Sequence, residues 1–297
     1  MTDISFIAVD WGTTNRRAYA IDANGAVLRT ERDGDGILAV PAGGFPDAAA
    51  AIRGRFDSDA PMLLAGMVGS NRGWVDAGYV PCTATLDAVA AATVVAGDGI
   101  RIVPGVSRSA DGRGDVMRGE EVQLFGAVAA GLAPGDALLC QPGTHCKWAW
   151  MAAGAIADFT TAMTGELFSL LKAHSLIGAD MAAGDVADGD AFRAGVEDAR
   201  TRDLPAALFG VRASGILGLH AREDAASYVS GLLIGSDCHA RLRGDARDVY
   251  LLADPVLGAL YATAIDIAGG RAHLIDSHAA FVAGITRIHA RIRQDPI

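Results

Sequence analysis

Lysine is almost missing from this chain of 297 residues, in which only Lys147 and Lys172 occur. A glycine-rich phosphate loop of the form GxxxxGK followed by Ser or Thr needs a lysine after its second glycine, and neither lysine stands in that setting. No GxGxxG run follows a strand-like segment either. The sequence therefore excludes a phosphate loop of that type and does not support a dinucleotide-binding fingerprint.

Cysteine and positive charge are scarce as well. The cysteines form no CxxC pair, so neither a zinc site nor a disulfide framework is indicated. They are Cys82, Cys140, Cys146 and Cys238. The net charge of −10 argues against a dedicated nucleic-acid surface, which would need a basic face. A few arginines in a cleft would still suffice to bind an anion.

Long apolar runs are absent too. Gly, Pro or Asp interrupts each apolar stretch before it reaches the roughly 18 residues that indicate a membrane span. The amino-terminal residues lead into a strand-like segment without the basic and then apolar pattern of a secretory leader. With 51% hydrophobic and 20% charged residues, the chain is typical of a globular protein. We expect a reduced, soluble, cytoplasmic protein with neither a membrane nor a nucleic acid as partner.

What the sequence does contain is a strand, a polar glycine turn and a second strand at the start of each half. In the first half we predict strands at 5–10, 17–21, 27–32, 62–65 and 100–107, with helices at 45–56 and 118–132. In the second half we predict three strands within 136–165, helices at 165–176, 207–219 and 225–242, a strand and helix within 248–265, a strand at 271–276 and a helix at 279–292. This repetition indicates two related α/β domains with a cleft between them.

The first turn carries more chemistry than a hairpin requires. Asp10 ends the first strand and offers hard oxygen atoms suited to hydrated Mg²⁺. Gly12 allows backbone N–H groups to approach an anion, and either Arg16 or Arg17 adds positive charge. The short donors of the turn are Thr13, Thr14 and Asn15. These groups suit a phosphoryl group in transfer, although an ordinary turn held by threonine side chains remains the alternative.

The second turn, in "QPGTHCKW", offers a partner to the first. Gly143, Thr144 and His145 stand between two apolar strands, and Lys147 follows them. A plain hairpin with packed tryptophans is the alternative for this segment alone. Two such turns, one opening each half, favour a single phosphate chain bound by both.

These motifs together resemble a known family. The first turn is similar to the first phosphate motif of the superfamily that holds sugar kinases, actin and heat-shock ATPases, and "QPGTHCKW" is similar to its second. The series "DWGTTNRRAY", "GMVGSNRGW", "MRGEEVQLFG", "PGTHCKW", "TAMTGELF" and "YVSGLLIG" resembles the 2-dehydro-3-deoxygalactonokinase family over nearly the whole chain. The resemblance implies two ribonuclease-H-like (actin-like ATPase) domains, with mixed sheets flanked by helices and an active site in the interdomain cleft.

The resemblance also implies boundaries and an activity. We expect an amino-terminal domain over 1–125 and a carboxy-terminal domain over 126–278, with a last helix at about 279–297 that packs back on the first domain. The implied reaction is ATP-dependent phosphorylation of 2-dehydro-3-deoxy-D-galactonate at its 6-hydroxyl, in D-galactonate catabolism, with Mg²⁺. A kinase for another sugar acid is one alternative, and an ATP-binding regulator is another. A homodimer is left open.

The acceptor is expected to bind at the loop in "GMVGSNRGW". The strand before it delivers Gly69, Ser70, Asn71 and Arg72, and Arg72 suits a bidentate pair with a carboxylate. Trp74 is interpreted as a packing residue. A surface loop with a solvated arginine is the alternative.

The catalytic base is expected at the start of the helix after Gly119. Related sugar kinases place an Asp after a small residue there, whereas here a Glu, Glu120, follows the glycine directly and is our first choice. Glu121 and Asp115 stay as alternatives, because acidic residues in a first helical turn also suit the helix dipole. Arg118 is expected to help bind the acid or the transferring phosphate.

The nucleotide's adenosine is expected near a strand–turn–helix. The candidates are Ala253 and Asp254, although Asp254 is also a natural N-cap before Pro255. Thr164 is a further N-cap candidate that could also contact the nucleotide.

Overall fold

A computed structural model describes residues 3–110, 112–242 and 247–294 of the chain. The strands are β1 (Phe6–Trp11), β2 (Arg16–Ile21), β3 (Val27–Asp33), β4 (Met62–Ala65), β5 (Tyr79–Pro81), β6 (Val94–Gly97), β7 (Ile100–Ile102), β8 (Gly105–Ala110), β9 (Arg113–Met117), β10 (Ala137–Gln141), β11 (Cys146–Ala152), β12 (Ala155–Ala162), β13 (Asp248–Leu252) and β14 (Arg271–Ile275). The α-helices are α1 (Phe45–Phe56), α2 (Leu86–Ala91), α3 (Glu120–Ala129), α4 (Thr164–His174), α5 (Gly178–Met181), α6 (Asp190–Asp198), α7 (Leu204–Leu217), α8 (Ala225–Arg241), α9 (Pro255–Ile267) and α10 (Ser277–Gln294). Short 3₁₀ turns occur at Ile37–Ala39, Met67–Gly69 and Arg222–Asp224.

The chain divides into two compact units. The first combines Met1–Asp136, Trp150–Phe159 and Ser277–Ile297, and the second combines Ala137–Ala149 and Thr160–Asp276. The sequence-based boundary at 125/126 stays a prediction.

The first unit is built on a six-stranded sheet in the order β3-β2-β1-β4-β7-β6. Its first three strands form an antiparallel meander, whereas β4 runs parallel to β1. The register sets Asp10 opposite Arg17 on one side and opposite Ala65 on the other. The carboxyl ends of β1 and β4 therefore meet at one edge of the sheet, where their following loops can share a site.

Helices α3 and α10 of the first unit pack at very short distance. A Cβ atom on Gly126 would lie 1.7 Å from the backbone oxygen of Ala280, and one on Gly284 would lie 1.9 Å from that of Val122. Only glycine permits this approach at either position. The contact anchors the carboxy-terminal helix on α3, the helix that begins with Glu120.

The second unit is built on a five-stranded sheet in the order β12-β11-β10-β13-β14. Strands β10, β13 and β14 are parallel, and the helical crossovers before and after β13 supply α4 to α9. Helices α6 and α8 also meet through glycines, since a Cβ on Gly195 would lie 2.2 Å from the Tyr228 oxygen. Among the described residues, no helix is both long enough and apolar enough to cross a membrane.

The predicted fold class, mixed α/β with sheets flanked by helices, is confirmed. The single strand predicted over 100–107 is wrong, because Pro104 separates β7 from β8 and the two strands join different sheets. Proline has no N–H to continue a ladder. The small sheet β5-β8-β9 was not predicted, and neither was α6.

Candidate active site

The tip of the β1–β2 hairpin is a tight turn with exposed polar side chains. The Gly12 N–H donates to the Asn15 oxygen at 2.9 Å, and Asn15 Nδ2 donates to Thr14 Oγ1 at 3.0 Å. Behind the turn, the 3₁₀ segment after Gly36 donates backbone hydrogen bonds to the oxygens of Gly12 and Thr13. The backbone of the tip is therefore fixed, while the side chains of Thr13, Thr14 and Asn15 face solvent.

The two arginines of the hairpin have different positions. Arg16 is 5% exposed, pairs with Asp33 at 2.8 Å and with Asp35 at 3.3 Å, and lies over the Trp11 ring at 4.8 Å. These contacts give it a structural role. Arg17 stands opposite Asp10 in the sheet, and its guanidinium contacts the ring of His278. Of the two alternatives, Arg17 is therefore the one beside the carboxylate.

Two glycines bring the segments that carry Asp10 and Glu120 into contact. Gly66 ends β4 at φ 93°, and a Cβ there would lie 2.9 Å from the Trp11 oxygen. Gly119, at φ 102°, packs on Gly66 in turn. The pKa of Asp10 is raised to about 6, chiefly by burial, while the charge of Arg17 opposes this shift and the charge of Glu120 adds to it. The electrostatic interaction of the two carboxylates follows directly from this packing.

The two glutamates at the start of α3 are in different environments. Glu120 is half-buried and its Oε2 accepts the Arg118 backbone N–H at 2.9 Å. Glu121 is completely buried, and its Oε2 accepts the Gly119 N–H at 2.6 Å. Burial, and then the charge of Glu120, raise the pKa of Glu121 to about 8. Asp115 lies on β9, opposite Arg108. Glu120 is thus the glutamate that combines partial exposure with proximity to Asp10.

The predicted acceptor loop is held by its own backbone. Ser70 is buried, donates its hydroxyl to the Met67 oxygen at 2.7 Å and accepts the Arg72 N–H at 3.2 Å. Asn71 and Arg72 are exposed at the tip. Ser70 therefore shapes the loop, and the two exposed side chains are the ones available to a ligand.

Two residues flank that loop. Trp74 stacks on Phe45 at a centroid distance of 6.3 Å, which confirms its interpretation as a packing residue. Arg118 extends from the end of β9 towards Gly69, and a Cβ on that glycine would lie 3.1 Å from its Nη1. The structure thus places Arg118 beside the predicted acceptor loop.

In the second unit, the turn of Gly143, Thr144 and His145 rests on the start of α4. A Cβ on Gly165 would lie 2.5 Å from the Gly143 oxygen, and the Glu166 N–H donates to the Thr144 oxygen at 2.9 Å. His145 Nε2 lies 2.6 Å from Glu166 Oε2. The turn is thus held in place by the amino-terminal end of a helix, a position that favours anions.

One sequence-based expectation changes beside this turn. Thr164 is not an N-cap but the first helical residue, and its hydroxyl donates to Asp237 at 3.1 Å. Lys147 follows the turn on β11, is 5% exposed, and donates to Thr161 at 2.9 Å. Its predicted contact with a nucleotide stays a prediction.

A pocket of about 370 Å³ opens beside the turn. Its wall is mainly apolar with a few hydroxyls, and it is lined by Gly143, Thr144, Thr164, Gly165, Phe168, Ser169, Val186, Ser230, Leu233, Ile234, Leu257, Leu260 and Tyr261. Ala253 and Asp254 do not line this pocket. The side chain of Asp254 accepts hydrogen bonds from the N–H groups of Val256 and Leu257 at 3.0 and 3.1 Å, which confirms Asp254 as the N-cap of α9. Sequence reasoning missed Phe168, Ser230 and Leu257, which only the packing of α4, α8 and α9 brings together.

Comparisons with known proteins agree with these motifs. The family model described as 2-keto-3-deoxy-galactonokinase matches residues 10–288. The 2-dehydro-3-deoxygalactonokinase of Escherichia coli strain K12 is 39% identical over 293 residues, which cover 95% of this chain and 97% of that protein. A probable 2-dehydro-3-deoxygalactonokinase of Rhizobium meliloti strain 1021 is 37% identical over 297 residues, with 95% of each chain covered.

Solved structures give the same result. A crystal structure of a Sinorhizobium meliloti protein assigned as a 2-dehydro-3-deoxygalactonokinase has a TM-score of 0.90 at 35% identity, covering 98% of this chain and 100% of that one. An activator of 2-hydroxyisocaproyl-CoA dehydratase from Clostridium difficile has a TM-score of 0.52 at 11% identity, covering 97% and 96%, and shows likeness of fold alone. Because the family model, close relatives and a solved structure each match nearly the full length, this chain belongs to the 2-keto-3-deoxy-galactonokinase family.

Proposed function

We propose that this protein transfers the γ-phosphoryl group of ATP to the 6-hydroxyl of 2-dehydro-3-deoxy-D-galactonate, a step of D-galactonate breakdown. The observation that supports it most is the Asp10–Glu120 pair, held by the Gly66–Gly119 contact beside the predicted acceptor loop. The full-length likeness to the Escherichia coli 2-dehydro-3-deoxygalactonokinase supports the choice of acceptor. ATP as the donor and a small sugar acid as the acceptor are consistent with a cytoplasmic reaction.

Glu120 is proposed as the proton acceptor of the attacking hydroxyl. It is half-buried, and its contact with the Arg118 backbone N–H fixes its position. Phosphoryl transfer proceeds through a loose transition state, so positioning and charge stabilisation contribute most of the catalysis. Arg17, beside Asp10, supplies a positive charge against the charge that develops on the phosphoryl group.

Mg²⁺ fits the donor set around Asp10. The negative charges of the Asp10 and Glu120 carboxylates repel each other, and a bound cation would reduce that repulsion. Among the described residues no group of three or more His, Cys, Asp or Glu side chains could hold a metal, which suits an ion bound through water and substrate phosphates. Bound Mg²⁺ would neutralise phosphate charge, and Asp10 is assigned as its protein anchor through a bound water molecule.

The nucleotide is assigned to residues in both phosphate motifs. We propose that the turn at Gly12 binds phosphate oxygens through Thr13, Thr14 and Asn15, and that the turn at Gly143 does so through Thr144, His145 and Lys147. The adenosine is assigned to the pocket of about 370 Å³ lined by Phe168 and Leu257, near Ala253 and Asp254 in sequence. Asn71, Arg72 and Arg118 are assigned to contact with the acceptor, and Gly69 and Ser70 to the loop that presents it.

An assay of ADP release tests the proposal. Purified protein with ATP and Mg²⁺ should release ADP slowly alone and rapidly with 2-dehydro-3-deoxy-D-galactonate. The gluconate epimer and other sugar acids serve as competing acceptors. Faster turnover with another sugar acid would change the assigned substrate, and no stimulation by any sugar acid would favour an ATP-binding regulator.

A further inference from the structure

Arg118 is a buried arginine with unusual surroundings. Its side chain is 4% exposed, its Nη2 donates to the Gly78 oxygen at 3.1 Å, and the same nitrogen lies 3.6 Å from Asp76 Oδ1. The guanidinium carbon lies 4.3 Å from the centroid of the Tyr79 ring. On the other side, Gly69 leaves room that a Cβ atom would fill. The guanidinium is therefore enclosed by Tyr79, Gly69 and Gly78.

The hydrogen bonds of this guanidinium are incomplete. Nε and Nη1 are buried and have no hydrogen-bond partner among the described residues. Together these two nitrogens carry three N–H groups, each of which loses its contact with water on burial. Leaving charged donors unsatisfied is costly, so an anion that reached them would bind with a large gain.

The ion pair with Asp76 does not satisfy this need. The Asp76 side chain is 57% exposed and the separation of 3.6 Å is long for a charge-assisted hydrogen bond. Because the Asp76 carboxylate keeps most of its contact with water, the pair contributes little stability. Asp76 faces only Nη2 and remains largely exposed to solvent, so a stronger anion can take its place beside the guanidinium.

We propose that Arg118, and not Arg72, binds the carboxylate of the acceptor, and that this carboxylate displaces Asp76. The proposal rests on the proposed function. Arg72 is exposed at a loop tip, where water weakens its pairing, whereas Arg118 is shielded. The acceptor carries its carboxylate and its 6-hydroxyl at opposite ends, and Arg118 and Glu120 stand on either side of Gly119. The segment 118–120 thereby binds the carboxylate through Arg118 and activates the hydroxyl through Glu120.

The decisive measurement compares the acceptor with its methyl ester, which keeps the 6-hydroxyl and loses the negative charge. Steady-state kinetics with both compounds are measured for the wild type, Arg118→Ala and Arg72→Ala. For Arg118→Ala we expect the KM for the acid to rise by about 30-fold or more, with the KM for the ester little changed. Arg72→Ala should keep the wild-type preference for the acid over the ester.

This design separates a specific role from a structural one. Loss of packing at Arg118 would impair acid and ester equally, so an unchanged acid-to-ester ratio in Arg118→Ala would overturn the proposal. Arg118→Lys provides a milder variant if the alanine variant does not fold, and it should lose part of the preference because lysine lacks the planar fork. If the wild type does not phosphorylate the acid at all, the proposed function fails instead.

Asp76→Asn tests the displacement. Asparagine keeps the oxygen that accepts the Gly78 N–H at 3.0 Å but removes the competing charge. We expect the KM for the acid to fall by about two- to five-fold, the range of a weak ion pair, and the KM for the ester to stay unchanged. A weaker binding of the acid in this variant would contradict the competition between Asp76 and the substrate.

Discussion

Gly119 packs directly on Gly66, so that a Cβ atom on Gly119 would lie 3.0 Å from the Gly66 Cα. Both residues have positive φ, a region that side chains with a Cβ rarely occupy. The contact joins the end of β4 to the start of α3 and thereby sets the position of Glu120 relative to Asp10. The catalytic geometry we propose thus depends on two residues that have no side chain.

Gly119→Ala should therefore impair activity more than stability. The strained backbone should lower the free energy of unfolding by about 1–3 kcal/mol, while the displacement of Glu120 should lower kcat by roughly 100-fold, comparable to loss of a base. Gly114→Ala is a matched control, because no atom lies within 4 Å of its added Cβ. Denaturant unfolding and kinetics would measure both effects. A Gly119→Ala protein with wild-type kcat would contradict the role of this contact.

Glu120→Gln should lower kcat by roughly 100-fold or more, with modest changes in both KM values. The amide keeps the size of the side chain and loses the ability to accept a proton. Asp115→Asn and Glu121→Gln are the comparison variants, and each should cost much less. An inactive Asp115→Asn beside a nearly wild-type Glu120→Gln would transfer the role of base to the residue on β9.

Glu121→Gln should change the pH dependence of stability. The pKa of Glu121 is raised to about 8 in the folded protein, so between about 4.5 and 8 the folded state binds more protons than the unfolded state. The stability of the wild type should accordingly decrease as the pH rises through that window. The glutamine variant lacks this loss, so its Tm should exceed that of the wild type at pH 8–9 and approach it near pH 5. Equal Tm values at both pH values would show that Glu121 titrates normally.

The residues that could be predicted from the sequence are those that act through near neighbours. The cap formed by Asp254 and the turn at Gly12 depend on a few adjacent residues, and both lie where the sequence indicates. The choice between Arg16 and Arg17 depends on the pairing of β1 with β2, which the strand alternation only suggests. The enclosure of Arg118 depends on the unpredicted strand β5, which brings Tyr79 to it.

The same reason explains the errors. Pro104 was included within a strand because the flanking residues are apolar, although its missing N–H separates two sheets. The adenosine pocket needs three helices that are distant in sequence, so its lining by Phe168, Ser230 and Leu257 has no local signal. Long-range packing, which the pattern of one segment does not encode, decides these cases.

Asp10→Asn should separate a metal anchor from a structural carboxylate. Asp10 has a pKa raised to about 6, mainly by burial, so its ionised form opposes folding as the pH rises from about 4 to 6. Asp10→Asn should therefore be at least as stable as the wild type at pH 7–8 while losing Mg²⁺-dependent turnover. In the wild type, kcat/KM should fall as the pH is lowered through about 6. A folded Asp10→Asn protein with wild-type turnover would remove Asp10 from the site.

Asp254→Ala and Leu257→Ala should separate capping from nucleotide binding. Asp254 caps α9, so its loss should lower the free energy of unfolding by about 1 kcal/mol. Because Asp254 does not line the pocket, the Kd of a non-hydrolysable ATP analogue should change little. Leu257 does line the pocket, and removing apolar contact with the base should raise that Kd by about 5- to 30-fold, which corresponds to about 1–2 kcal/mol. Calorimetric titration measures the Kd of each variant. A raised Kd in Asp254→Ala together with an unchanged Kd in Leu257→Ala would assign the adenosine to the cap residue and leave the pocket without a ligand.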